Sequence, residues 1–149
     1  VISEALKRVT PALPFHETFI PLGGSRTVLQ YKVFESLSKP HFMDSDNKSR
    51  ECFIRIQDKS IKASREVREI LKRKQQSKDV HFRYGDHEKT LMKYLEVHHT
   101  ITLKEYMLVS GLKRFIASKK LVLLVLANVL RVIPSEKGDQ YTLAFGKFS

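Results

Sequence analysis

Thr102-Leu103-Lys104-Glu105 constrains this chain more than any other stretch. Threonine followed three residues later by glutamate is a capping box: hydroxyl and carboxylate each satisfy a free backbone N–H at a helix start. Ile101 and Tyr106 flank it at the spacing of a hydrophobic staple, so the start of this helix is well defined. The helix is short, ending near Ser110-Gly111, where glycine tolerates the left-handed conformation that closes many helices. A longer helix follows and runs to about Asn128. Its start falls between Leu112 and Ser118, since Ser118 is also a reasonable N-cap. Its first part is basic and its second almost wholly apolar. A strand competes over Leu121–Val129, but the run is long for one and a helix is favoured.

The flanking segments complete a unit. Upstream, Asp86 can cap a helix reaching His98, with Leu91, Met92 and Leu95 inward. Downstream, Leu130–Pro134 and Gln140–Phe145 pair around Glu136-Lys137-Gly138-Asp139, with Tyr141, Leu143 and Phe145 alternating inward. Three helices followed by a hairpin form the layout of a winged helix-turn-helix. In that layout the basic start of the third helix faces a DNA groove while its apolar end is buried.

The N-terminal half reads differently. Ile2, Leu6 and Val9 sit at helical spacing before Pro11 and Pro14 stop the pattern. Phe15–Leu22 and Arg26–Phe34 read as two strands joined by Gly23-Gly24-Ser25, a tight hairpin turn. A phosphate loop is excluded there, because no helix with a Lys-Ser/Thr start follows. Leu37–Arg50 is a polar connection with Pro40-His41-Phe42-Met43 as a brief extended piece, and Arg50–Ile56 is a third strand. From Lys59 the pattern turns helical, with Ala63, Val67, Ile70 and Leu71 on one stripe and a basic remainder. Residues 59, 62, 65, 68, 72, 73, 74 and 78 are Lys or Arg, against Glu66 and Glu69. Such a run is usually a solvated face; the functional alternative is a face turned to phosphates. The polar link Gln75–Asp79 places a domain boundary near Ser77, giving domains 1–78 and 79–149, with Val80–Tyr84 able to form a short leading strand.

The formal net charge of +11 favours polyanionic partners, since neutralising phosphates releases counterions. No basic leader followed by an apolar core and cleavage site opens the sequence, so no signal peptide is expected, and the longest apolar run, Leu121–Ala127, is far short of a membrane span. Cys52 is the only cysteine, so an intramolecular disulfide is excluded and a reducing, cytoplasmic setting is expected. Placed in mid-strand among apolar neighbours, it reads as a buried structural thiol. The six histidines show no metal-ligand spacing with each other or with Cys52. Asp44 and Asp46 lie in a loop, and no catalytic set assembles. Neither cofactor nor metal is expected.

Several short segments are similar to the C-terminal half of a Schlafen AlbA-like domain, as found in bacterial transcriptional regulators. They are the helix before Pro11, Ser25-Arg26-Thr27-Val28-Leu29, Lys39-Pro40-His41-Phe42-Met43, and Cys52-Phe53-Ile54-Arg55-Ile56-Gln57-Asp58-Lys59-Ser60 with Ala63 beyond. In small regulators of this type a helix-turn-helix follows, as Asp86–Phe145 would here. The resemblance implies an α+β chain, a partial AlbA-like domain followed by a winged helix, with Val1 inside a domain and the chain a fragment. Two departures stand out. Gln57-Asp58-Lys59-Ser60 replaces the family's Gly-Ser-Ser/Thr turn, which weakens the case for phosphate contact there. The family's N-terminal half, including the acidic residues credited with nuclease activity in some members, is missing.

The leading expectation is a non-enzymatic protein that binds double-stranded DNA in transcription regulation. Lys113, Arg114, Ser118, Lys119 and Lys120 would lie nearest the DNA, with Arg114 reading a base. Lys137 at the wing and Lys62, Arg65, Lys72 and Arg73 on the basic helix would contact the backbone. The alternative is an interaction or homodimerisation module, because Leu121–Ile133 holds more apolar residues than one buried face requires. A Schlafen-type nucleic-acid-processing enzyme comes third, its acidic residues lying outside this chain.

Overall fold

The computed structural model describes residues 2–45, 49–76 and 80–145. The expected boundary near Ser77, together with Asp46, Asn47 and Lys78, lies outside them. The chain is α+β, with five helices and several small antiparallel sheets among the described residues. It divides into two compact units, Val1–Cys52 and Phe53–Ser149.

The first unit opens with helix α1 (Ile2–Lys7), which ends two residues before the apolar spacing predicts, because Val9 belongs to strand β1 (Val9–Thr10). Strands β2 (Phe15–Pro21) and β3 (Thr27–Val33) form the expected hairpin, with Phe15 opposite Val33 and Pro21 opposite Thr27. Gly23 and Gly24 both take positive φ, 86° and 63°, which a side chain would resist. A period of two puts Phe15, Phe19, Leu29, Tyr31 and Val33 on one face, and that face stays largely open to solvent. Strand β4 (Phe42–Asp44) lies between β1 and β5 (Arg50–Glu51), braced by Arg8 donating to the Asp44 carbonyl at 2.9 Å. Cys52 is buried, as its apolar setting suggested.

The expected single strand Arg50–Ile56 is in fact two. Strand β5 ends before Cys52, and β6 (Phe53–Ile56) pairs with β7 (Lys59–Lys62) in the second unit. A helix from Lys59 is likewise corrected: Gln57-Asp58 makes a two-residue turn, with Gln57 at φ 54°, and the chain doubles back as a strand. Helix α2 (Arg65–Lys74) starts only after Ser64, whose hydroxyl accepts the Val67 N–H at 3.1 Å. No strand forms over Val80–Tyr84.

Helix α3 (Asp86–His98) is capped by Gly85 rather than Asp86; the Glu88 carboxylate accepts the Gly85 N–H at 2.9 Å. Helix α4 (Leu103–Ser110) begins at the complete capping box. Thr102 N–H donates to Glu105 at 2.7 Å and Glu105 N–H to the Thr102 hydroxyl at 3.3 Å. Ile101 and Tyr106 on either side are fully buried. Gly111 ends α4 in the left-handed region at φ 67°. Helix α5 (Arg114–Leu126) settles the open start: Lys113 is its N-cap, and Ser118 lies one turn inside. Strands β9 (Leu130–Ile133) and β10 (Gln140–Leu143) pair as expected, and β8 (Ile101–Thr102), inside the capping box itself, adds a third strand beside β10. Tyr141 is buried and Leu143 half-buried, but Phe145 lies beyond the strand and is exposed, not inward.

The core of this unit joins Leu91 and Leu95 of α3, Tyr106 of α4, Leu121 and Leu124 of α5, and Tyr141 of β10. Ile70 of α2 joins it too. Helix α2 packs along α5. On α5, Ala117, Leu121 and Leu124 belong to the core, while Phe115, Ser118 and Val122 lie on the side that faces α2, where Val122 and Ile70 of α2 extend the core. The surplus apolar residues of α5 are explained: the helix is buried on two faces.

Candidate nucleic-acid interface

The tip of the β9–β10 hairpin is the hub of a surface on which four of the ten expected contact residues fall: Arg114, Lys137, Lys62 and Arg65. Asp139 holds it: one carboxylate oxygen accepts the Ser64 hydroxyl at 2.5 Å, the other the Ser135 N–H at 3.2 Å. The hairpin tip is thereby tied to the start of α2. Two grooves meet at this joint, sharing Ser64, Gly138 and Asp139. The groove on the α4 side, about 420 Å³, brings together Lys104 of α4, Arg114 of α5 and Lys137 of the β9–β10 turn. All three side chains are exposed. The other groove carries Lys62, Arg65 and Arg68 from β7 and α2. Six cations from five elements thus surround one tip. The carboxylates nearby are Glu136, the hydrogen-bonded Asp139, and Glu66, which is buried.

The remaining expected residues separate from this ring. Lys113 is exposed at the α5 N-cap. Lys120 turns the other way and ion-pairs with Glu88 of α3, whose side chain is only 4% exposed. Burial alone would raise the Glu88 pKa, but the Lys120 ammonium and the Gly85 N–H override it and hold the carboxyl below its usual range. Ser118 donates to Glu66 of α2 at 2.6 Å. Both side chains are committed inward and play no part in the outward surface. Lys119 and Arg73 line a separate cleft between α2 and α5, and Lys72 is exposed on α2.

Lys104, Arg68 and Phe115 were not among the expected residues. Lys104 sits inside the capping box, in the first turn of α4, so its position at a helix start was visible; its proximity to Arg114 and Lys137 depends on tertiary packing. Phe115 is 65% exposed in the first turn of α5. Among the described residues no three His, Cys, Asp or Glu side chains gather to hold a metal ion. No helix among them is long and apolar enough to cross a membrane.

Compared with protein-family models, curated proteins and solved structures, the chain matches none.

Proposed function

We propose that this chain is a non-enzymatic DNA-binding protein of the transcription-regulator type. In this reading α3, α4, α5 and the β8–β10–β9 sheet are a winged helix-turn-helix behind the C-terminal part of a Schlafen AlbA-like domain. The order of elements supports the winged helix. The AlbA-like reading rests on the short segments quoted above. The observation that carries the function is the wing-tip ring: Lys104, Arg114 and Lys137 share one groove, with Lys62, Arg65 and Arg68 in the next. Cations from separate elements facing one channel suit a phosphate backbone, which carries a charge every few ångströms.

The docked α2 limits how α5 can be used. A DNA major groove is about 12 Å wide and takes one helix of 10–12 Å diameter. Two packed helices, with axes 8–10 Å apart, are too broad to enter it. Only the start of α5, Lys113 and Arg114, is therefore offered to base edges. Arg114 remains the base-reading candidate; Ser118, Lys119 and Lys120 do not. Alanine at Arg114 is expected to cost about 1–3 kcal/mol of binding and to relax specificity at one base pair. Lys137→Ala should weaken cognate and scrambled duplexes alike. Equal binding of both duplexes by Arg114→Ala and the parent would reject the assignment.

A second reading, association with a second copy of the chain, is favoured by the exposed β2–β3 face. A two-stranded ribbon showing Phe19 at 65% and Val33 at 56% exposure gains by covering that face. Sedimentation of the parent and of Phe19→Lys tests it: a dimer that Phe19→Lys dissociates supports it, and a parent monomeric at high concentration rejects it.

A further inference from the structure

The cleft between α2 and α5 has a chemistry that duplex binding at the wing tip does not use. Its lining combines apolar Phe115 and Val122 of α5 with the cations Arg65 and Arg73 of α2 and Lys119 of α5. Two carboxylates also line it. Glu66 is buried and accepts the Ser118 hydroxyl, so it is not offered to a ligand; Glu69 is exposed on the α2 wall. Three accessible cations against one accessible carboxylate leave the opening positive. Phe115 is buried by neither the core nor α2, although its neighbour Ala117 is wholly enclosed. A large aromatic ring left 65% exposed beside three cations combines the two features used to hold unpaired nucleic acid: a stacking surface and a phosphate-facing rim.

From this we infer that the α2–α5 cleft binds an unpaired nucleotide of a single strand, its base stacked on Phe115 and its phosphates on Arg73, Lys119 and Arg65. The inference rests on the nucleic-acid reading above but concerns a different cleft. Pairing excludes the alternative substrate: a base inside a duplex has both faces stacked on its neighbours and offers neither to Phe115. Glu69 adds an acceptor for the exocyclic amine of a base, which makes cytosine a suitable probe.

The chain has no tryptophan, so Phe115→Trp places a single indole at the stacking position. Titration with a 12-nucleotide oligo(dC) should quench that indole along the same curve as the anisotropy of the labelled strand. Phe115→Ala should bind the strand roughly 5- to 150-fold more weakly, while Phe115→Tyr retains binding. Because the ring is exposed, the alanine variant should melt within a degree or two of the parent, and its affinity for a 20-bp duplex should be unchanged. Three results overturn the inference: no binding of the strand, Phe115→Ala binding it within twofold of the parent, or anisotropy registering binding without quenching. Failure here is separable from failure of the wing-tip reading. Duplex binding that depends on Arg114 and Lys137, with an unquenched indole, removes only this site; quenching by oligo(dC) without duplex binding removes only the other.

Discussion

Lys120 and Glu88 lie 32 residues apart and form an ion pair in which the carboxylate is almost completely enclosed. Removing one member of such a pair leaves the other buried without its partner. Lys120→Ala is expected to destabilise the fold by about 3 kcal/mol, measured by urea unfolding. The pair also sets a pH dependence. A carboxyl held below its unfolded pKa contributes stability that is present above that value, near 4.3, and lost as pH falls through the folded pKa. Melting temperature should therefore drop on acidification from about pH 5 to 3, and Glu88→Gln should be less stable than the parent at pH 7 with a shallower acid decline. An equally steep decline in Glu88→Gln would assign the acid sensitivity to other groups. Nothing in the sequence linked these two residues: Lys120 reads as part of a basic helix start, and its partner is fixed only by the packing of α3 beside α5. Ser118 was misjudged similarly, its cap-like identity serving a bond to Glu66 instead.

Elements were legible where local chemistry dictates them. The Thr102/Glu105 box, Gly111, and the Gly23-Gly24 turn each satisfy a backbone requirement within a few residues, and the structure places all three as read. Elements were missed where the deciding partner is remote or the local cue is weak. Strand β8 is two residues long and is recognisable only through β10. The turn at Gln57-Asp58 lacks the glycine that usually announces a two-residue hairpin, so β7 was read as helix. The docking of α2 on α5 left one trace, the excess of apolar residues on α5. That docking is testable at this scale. Ile70 is 3% exposed, and Ile70→Ala should cost about 2–5 kcal/mol. Ser118→Ala, which strands the buried Glu66 oxygen, should cost about 1–3 kcal/mol. If Ile70→Ala unfolds within 0.5 kcal/mol of the parent, α2 is not a working part of the core.

For the molecule as a whole, the net charge of +11 was plain from composition, but its distribution was not. The candidates named from sequence were spread evenly along α2, α5 and the wing. Folding divides them: Arg114, Lys137 and Lys62 gather at the β9–β10 tip, Lys119 and Arg73 line the α2–α5 cleft, Arg65 borders both, and Lys120 is paired with Glu88. Lys104 and Arg68 complete the ring through tertiary contacts alone. The central claim is that this ring binds the DNA backbone, and it is tested most directly by titrating the affinity for a random 20-bp duplex against salt. Contacts from three to six phosphates predict that log Kd rises with log salt at a slope of about 3–5, reduced by about 1 in Lys137→Ala. No binding at low salt, or an affinity indifferent to salt, would contradict it.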